Sequence, residues 1–434
     1  MDVVSAARSL IADTLAFHLF FVLFGVALPA LISGLEFYSI KSRRPRAREL
    51  AHQWSRALVI LFIAGAVSGT IVSLQFNLIW PTFTSFAGKV VGVSFALEGF
   101  AFLIEALFLT IYMMSWQRFK PWLHWLCSLP IVFGALASAF FITTVNAWMN
   151  TPRGFRLDSH GSPIDINTRQ AVFNPAAGTE IAHSILAYFL ATSLALLAIY
   201  AWVAWRRNKG RLSGDFRKVM VGLAGLALLF GLLVAFTGDR AGKFDAKYEP
   251  HKLAAVEGLE HTQSGAPLLV GGIVSGSHIE HAVRIPKFLS FLATGHWNGT
   301  VTGLNDIPGD QRPPVIVHYF FDAMVGIGSL VIIVTFLYLV FSKWRRGWAN
   351  SRLMLILLVV CGFLGILAAE FGWMVTEFGR QPFVIRGVMR TSDAVTHSRY
   401  AIEFGYIFPI LYLVLFVLTF LALKKGVNFT KVLK

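Results

Sequence analysis

Six side chains able to hold iron or carry protons lie in or at the ends of long apolar stretches of this 434-residue chain: His18, His183, Met324, Glu98, Glu105 and Glu377. An ionisable group at a bilayer centre costs on the order of 2.5–3.5 kcal/mol on insertion scales, so a set of them points to a shared task, holding a cofactor or moving protons. A six-coordinate haem takes two axial donors, and His paired with Met is a common low-spin set that raises the reduction potential. His183, in Glu180-Ile-Ala-His183-Ser-Ile-Leu-Ala, and Met324, in Phe320-Phe-Asp-Ala-Met324-Val-Gly-Ile-Gly328, qualify. Taken singly, Met324 also reads as core packing and His183 as a structural histidine. His18, in Ala16-Phe-His18-Leu-Phe-Phe, has no partner in its own stretch. That suits a high-spin haem with a position left open for a gas; a proton relay or a hydrogen-bonded structural histidine is the alternative. Glu98 and Glu105 are seven residues apart, hence on one helical face and ~10.5 Å apart along the axis. The spacing suits a carboxylate ladder for protons, or two carboxylates each satisfied by a neighbouring helix.

The elements that must position these groups are membrane helices. The chain is 56% hydrophobic, 14% aromatic and only 14% charged, with a mean hydropathy of +0.64. Apolar runs near the ~20 residues that cross a hydrocarbon core recur at about 15–39, 54–79, 93–116, 122–146, 178–205, 216–236, 316–341, 353–375 and 402–423. The fold expected is therefore an all-α integral membrane bundle of about nine helices. The first run is longer than a signal-peptide core and has no small-residue cleavage pattern behind it, so it is read as a true span.

Lys and Arg placement orients the bundle. The segments after spans one, three, five and seven, with the C-terminal tail, hold 21 of the 38 basic residues, including Lys41, Arg43, Lys120, Lys209, Arg211, Lys343, Lys424, Lys431 and Lys434. By the positive-inside rule these segments are cytoplasmic, the N-terminus is outside and the C-terminus inside. Trp116, Trp122, Trp202, Trp205, Trp344 and Trp348 mark the same boundary as an interfacial belt. The net charge of +15 then needs no nucleic acid to explain it. Cys127 and Cys361 fall inside spans and read as small apolar packing residues. There is no CxxC, no Walker loop and no repeat of solenoid period.

Two outside segments are long, about 147–177 and about 237–315. They divide the chain into helices one to six (1–236), an outer loop (237–315) and helices seven to nine (316–434). The second loop is rich in Gly and Pro and carries Asp239, Arg240, Lys243, Lys252, Glu257, Glu260 and His261. A loop of that length in a compact bundle is either functional or disordered. Its stretch Pro250-His-Lys-Leu-Ala-Ala-Val-Glu-Gly-Leu-Glu260 reads as a short amphipathic helix, which favours function.

The most specific block closes span eight: Glu370-Phe-Gly-Trp-Met-Val-Thr-Glu377-Phe-Gly379-Arg380-Gln381-Pro382-Phe383, followed by Gly387 and Arg390-Thr-Ser-Asp393-Ala. It resembles the signature of subunit I of the cytochrome bd quinol oxidases. The resemblance runs through His18, Glu98, Glu105, Asn146-Ala-Trp-Met, His183, Gly238-Asp239, Lys252-Leu-Ala-Ala-Val-Glu257 and Met324-Val-Gly-Ile-Gly. It implies haem b558 on His183 and Met324, and two high-spin haems, b595 and d or a b-type haem in its place, served collectively by His18 and Glu377, with Arg380 at the cofactor. It implies a proton path through Glu98 and Glu105, and quinol oxidation at an outer Q-loop, of the short kind, by Lys252 and Glu257. It further implies dioxygen as electron acceptor, a haem-free subunit II as partner, sometimes a small single-span subunit, and residence in a prokaryotic cytoplasmic membrane. Phe383 stands where the family usually has Trp. Asp322 stands where many members have Arg, and an acid there is expected to lower the low-spin haem potential by stabilising the ferric form.

The residues agree with that chemistry. Quinol oxidation releases two protons and two electrons, so it needs a base and an electron acceptor near one surface; dioxygen reduction consumes protons, which Glu105 and Glu98 would bring from the other. A dihaem cytochrome b would show paired histidines on one helix, and a haem–copper oxidase an adjacent His pair; neither occurs. A proton-coupled transporter would use the carboxylates and the long loop equally well, but leaves the His/Met pairing and the 379–394 block without a purpose.

Overall fold

The computed structural model describes residues 3–207, 214–276, 278–396, 398 and 400–428. Among them nine helices are long and apolar enough to cross a membrane. In chain order they and their short companions are α1 (Val3–Ser42), α2 (Pro45–Ile79), α3 (Pro81–Ser115), α4 (Pro121–Asn150), the one-turn α5 (Thr168–Val172), α6 (Ala177–Arg207), α7 (Gly214–Tyr248), α8 (Pro250–Val256), α9 (Phe288–Thr294), α10 (Val317–Trp344), α11 (Arg346–Ala349), α12 (Arg352–Gly379), α13 (Thr391–Ala394) and α14 (Tyr400–Gly426). The β-structure described is five two-stranded antiparallel ladders, in the segments between helices.

Local sequence sets the breaks. Pro45, Pro81, Pro121 and Pro250 each open a helix, where a missing N–H costs nothing and φ is already helical. The link from α2 to α3 is the single residue Trp80, and Thr84 Oγ1 donates to Phe76 O at 2.8 Å and to Trp80 O at 3.0 Å, tying the corner. Val91 leaves helical geometry (φ −115°, ψ 15°), so α3 bends just before its two carboxylates. Pro29, Pro130 and Pro409 lie inside α1, α4 and α14. Such interior prolines are tolerated where neighbouring helices re-satisfy the freed backbone groups.

Several helices outrun their apolar windows: α2 begins at Pro45 and α3 at Pro81, well before 54 and 93, and α1 and α7 overrun theirs too. α1 begins at Val3, not near residue 15, and its first turns bury Ala7 and Leu10 against the Trp80 and Phe83 end of α2 and α3. α7 continues from the predicted end at 236 to Tyr248, because no breaker occurs before Pro250. Gly238, Asp239, Arg240 and Lys243, placed in a loop by hydropathy, are therefore helical, and Lys243 and Asp239 form an i,i+4 pair at 2.6 Å. Hydropathy finds the lipid-crossing part of a helix, while hydrogen bonding carries the rod further.

The bundle core is aliphatic with tyrosines: Leu58, Leu194, Leu197, Tyr200, Met220 and Leu358 are nearly fully buried, and Trp54 Nε1 donates to Tyr200 Oη at 2.9 Å. The thiols of Cys127 and Cys361 are free. At the basic end the tryptophans sit under cations, Arg206 over Trp202 and Trp205, Lys343 over Trp344 and Arg48 over Trp116. Lys209, Arg211, Lys431 and Lys434 of the basic set lie outside the described residues.

α6 and α12 cross at Gly362, where a Cβ would stand 2.2 Å from Ala198 Cβ and 2.9 Å from Leu194 O. In lipid, small residues are what let helix backbones approach this closely. Gly362→Ala is expected to destabilise by about 1–3 kcal/mol, the usual cost of overpacking. Gly222→Ala in α7, with nothing within 4 Å of its Cβ, is the control. A melting curve of the purified protein checks the pair: Gly362→Ala should fall and Gly222→Ala should not.

Candidate functional site

One cavity of about 1570 Å³ runs through the bundle, and His18, His183, Met324, Glu98, Glu105, Glu377, Arg380, Lys252 and Glu257 all line it. These nine residues come from six helices or their C-caps, α1, α3, α6, α8, α10 and α12; the fold brings them to one cavity.

The three donor side chains share a construction. His18 Nδ1 is 2.9 Å from Ser68 Oγ, and His183 Nδ1 is 3.1 Å from Thr237 Oγ1, so in each ring one nitrogen is held by a hydroxyl and Nε2 is left for the cavity. A metal-ligating histidine needs such a fixed second nitrogen to set its tautomer and ring plane. Each donor also lies against a glycine. A Cβ on Gly69 would stand 3.1 Å from His18 Cε1, one on Gly238 3.4 Å from His183 Cε1, and one on Gly372 3.0 Å from Met324 Sδ. A methyl group at Gly69 or Gly372 would press on the donor, which must shift by a few tenths of an ångström, and one at Gly238 would just touch the His183 ring. This donor set, with its fixed rings and its apolar cavity, fits iron held by haem.

Glu377 is held from both sides: Asn146 Nδ2 donates to Oε1 at 2.7 Å and Arg380 Nη2 to Oε2 at 2.5 Å. Arg380 is 2% exposed; its Nη1 donates to Asn150 Oδ1 at 3.2 Å, and its Nε is buried without a partner among the described residues. A buried guanidinium with a donor to spare can take an anionic group of a ligand. On α3, Glu98 Oε1 is 3.4 Å from Ser138 Oγ, while Glu105 is 4% exposed and its Oε1 has no partner among the described residues. Gly134 of α4 makes the fit there, since a Cβ would stand 2.7 Å from Ala101 O and 3.0 Å from Glu105 N.

At the other end, Pro250–Val256 forms the expected helix but a shorter one, ending at Val256 with Glu257 as its C-cap. It is not amphipathic, because every residue from His251 to Val256 is buried. Lys252 Nζ lies 3.3 Å from Asp245 Oδ2 and 3.2 Å from Glu249 Oε2. Its stem lies against Gly379, where a Cβ would stand 2.8 Å from Lys252 Cγ, which gives the glycine of the Gly-Arg-Gln-Pro string its purpose. Burial alone would discharge the ammonium, but Asp245, Glu249 and Glu180 outweigh it and hold the Lys252 pKa well above its ordinary value. Burial, with the charge of Asp322 added, pushes Glu257 up to about 8, and its Oε2 has no partner among the described residues. Burial, then Arg386 and Lys252, pushes His251 down to about 3, so it is neutral.

Sequence reasoning gave no role to Glu180, Asp245, Glu249 or Asn150. Yet Asn150 joins the two ends, accepting from Arg380 and donating to Glu180 Oε1 at 2.7 Å. A usable signal existed: a lysine deep in an apolar wall needs carboxylates, and Glu249 and Asp245 are three and seven residues before it. Removing the cation while leaving its anions is the costly change, about 3–5 kcal/mol for a broken buried pair. Lys252→Met is therefore expected to loosen the 249–316 segment, seen as faster proteolysis there. The defect should shrink as pH falls and the stranded carboxylates take up protons; sensitivity unchanged from the parent at neutral pH would contradict the pairing.

The comparisons with known proteins agree along the whole chain. Residues 6–429 match the family described as cytochrome bd terminal oxidase subunit I. A Bacillus subtilis protein named putative cytochrome bd menaquinol oxidase subunit I is 35% identical over 402 residues, 91% of this chain and 90% of its own length. A second from that organism, cytochrome bd ubiquinol oxidase subunit 1, is 27% identical over 97% of this chain and 93% of its own length. The structure of bd oxidase from Geobacillus thermodenitrificans superposes with a TM-score of 0.93 at 38% identity, covering 98% of each chain. A match that spans the signature block, the nine helices and the segment between α7 and α10 alike leaves no part of the fold unaccounted for, and this chain belongs to the cytochrome bd terminal oxidase subunit I family.

Proposed function

We propose that this chain is the haem-bearing subunit of a quinol:dioxygen oxidoreductase of the bacterial cytoplasmic membrane, working with a subunit II and, as in some relatives, a small single-span subunit. The observation that carries the site assignment is the shared construction of the donors: three iron-donor side chains, each against a glycine and two with a fixed ring nitrogen, on one cavity with the acids. His183 and Met324 would hold haem b558. His18 and Glu377 would serve the high-spin pair, haem b595 and haem d or a b-type haem in its place, with Arg380 taking an anionic edge of a cofactor. When bound, the haems supply one-electron transfer from quinol and the iron at which dioxygen is reduced.

The chain's own residues supply binding and proton traffic. The basic, tryptophan-lined end is placed in the cytoplasm, so the 249–316 segment faces out. Quinol binds there, at the cavity wall made by Lys252 and Glu257. Lys252 Nζ, its position fixed by Asp245 and Glu249, donates a hydrogen bond to a quinol oxygen, and Glu257 Oε2 accepts the proton that leaves with each electron. From the opposite end, Glu105 takes protons and passes them to Glu98. Protons are released outside and consumed from inside, so charge separates across the membrane with no pump. We read the division into helices 1–236, an outer quinol segment 237–315 and helices 316–434 as a functional one, with α7 reaching into the second part.

The low-spin assignment is tested by His183→Ala and Met324→Ala. Either should abolish the low-spin b-type signal in a reduced-minus-oxidised spectrum, or convert it to high-spin, while the protein still inserts. An unchanged low-spin spectrum in both variants would show the assignment wrong.

The quinol site makes a pH prediction. A base must be deprotonated to act, and the Glu257 carboxyl is pushed up to about 8, so the working fraction grows as pH rises from 6 towards 9. Quinol-dependent oxygen uptake should rise over that window. Glu257→Ala should remove the slope and cut the rate ~10²-fold or more, the scale of a lost general base. Uptake with an artificial donor that reduces the haems directly should persist. Equal loss with both donors would move Glu257 into the fold and out of the chemistry.

A further inference from the structure

The face of α3 that carries Glu98 and Glu105 repeats its seven-residue step once more, at Tyr112, towards the basic end of the bundle. Tyr112 is 1% exposed, and its hydroxyl donates to Glu36 Oε2 at 2.6 Å. Glu36, in α1, is fully buried, and its other oxygen is 2.6 Å from His124 Nδ1 of α4. His124 is fully buried too, with Nε2 3.0 Å from Tyr112 O. Among the described residues the partner of Nε2 is a carbonyl, so Nε2 donates; the hydrogen of the Nδ1–Oε1 bond sits on the imidazole or on the carboxyl. Either way the pair is neutral, which permits its burial, and moving that proton creates no net charge.

We propose that Glu36, His124 and Tyr112 form the cytoplasmic entrance of the proton path that Glu105 and Glu98 continue. The inference rests on the orientation and the carboxylate path proposed above. His52 of α2 is half-buried and stacks on Trp116 at 4.3 Å between centroids; Trp116 packs edge-on to His124 at 4.5 Å. Arg48 lies over Trp116 and donates to its carbonyl at 3.1 Å, and Glu49 and Arg56 complete the charges around His52. Ser55 of α2 faces the Tyr112 hydroxyl, and Cys127 of α4 lies near Glu36. The cluster thus sits directly beneath a charged, water-facing surface.

Above it, a void of about 10 Å³ walled by Pro29, Leu109, Ile131, Ser128 and Tyr112 is at the lower limit for one water. Glu105 and Ala135 line the lower part of the large cavity, and Ala135 is one turn of α4, ~6 Å, above Ile131. With its hydrogen turned from Glu36 towards a water in the void, the Tyr112 hydroxyl gives that proton up and recovers one from the Glu36 carboxyl. Glu36 recovers one from His124, and His124 from the cytoplasmic surface. Each transfer breaks one O–H or N–H bond and forms one, so the relay is restored with no net change.

The test uses the complete oxidase with its partner subunit in liposomes. Oxygen uptake with a soluble quinol is measured against internal pH, with haem spectra and the solvent isotope effect alongside, in Tyr112→Phe, Glu36→Gln and Glu105→Gln. The expected result is turnover slowed at least ~10-fold in Tyr112→Phe and Glu36→Gln, most severely at high internal pH, with a larger isotope effect and unchanged haem spectra. Wild-type rate and pH profile in Tyr112→Phe would overturn the proposal. So would a loss of activity that leaves pH profile and isotope effect as in the parent, the mark of a structural role. If Glu36→Gln fails to assemble, Tyr112→Phe decides alone, since it deletes one hydroxyl. A slow Glu105→Gln beside a normal Tyr112→Phe refutes the entrance only; a normal Glu105→Gln refutes the carboxylate path itself.

Discussion

Hydrocarbon offers an ionisable group no solvation, and that constraint governs how this protein is built. A charge inside the bundle must be paired, be kept neutral, or line a cavity that a ligand or water fills. The chain uses all three solutions. Glu377, Arg380, Asn150 and Glu180 form one hydrogen-bonded series, Lys252 is surrounded by carboxylates, and Glu36 and His124 are hydrogen-bonded to each other at the opposite end. Glu98, Glu105 and Glu257 instead face the cavity. Among the groups facing the cavity, Glu105 and Glu257 each keep an oxygen without a partner among the described residues.

The cavity imposes a second demand, for backbone close to ligand and ligand-holding side chains. Glycine meets it at Gly69, Gly238 and Gly372, each beside a donor, and at Gly379 beside Lys252. None of these requires an unusual backbone angle; at Gly69, Gly372 and Gly379 a methyl group would crowd the facing side chain, and at Gly238 it would come into contact with it. The same residue type at Gly134 and Gly362 serves helix packing, so glycine in this chain marks close approach of two different kinds.

Much of this was legible in the sequence because the bilayer makes hydropathy nearly decisive. Nine spans, the free cysteines and the tryptophan belt follow from composition and periodicity. The family string Gly379-Arg-Gln-Pro382 located the site, and Glu98 with Glu105 fell on one face from their spacing alone. What was not legible depended on partners distant in sequence. Asn150 bridging Arg380 and Glu180 spans 230 residues on one side and 30 on the other. Glu36 was passed over because it lies at the edge of an apolar window, where a carboxylate reads as interfacial; only the packing of α1 against α3 and α4 shows it fully buried. The end of α7 was missed for a related reason, since charged residues on an exposed helical surface look like loop to a hydropathy scale.

Asp322 shows how a residue singled out in the sequence for one effect meets further partners in the fold. An acid two residues from the proposed methionine donor favours the ferric form of a nearby haem, and taken alone it would lower the potential. In the fold Asp322 is not alone. Its Oδ2 accepts from Gly271 N at 2.5 Å and lies 3.3 Å from His318 Nε2. The other His318 nitrogen is 2.7 Å from Val256 O, and Nε2 is also 3.1 Å from Gly271 O. Both ring nitrogens face acceptors. Because one nitrogen holds Val256, the residue before Glu257, and the other holds Gly271, the same histidine fastens the outer segment to the helix carrying Met324. A basic residue at position 322 would leave Gly271 N without its acceptor, so the acid at 322 has a structural task in this fold beyond its charge.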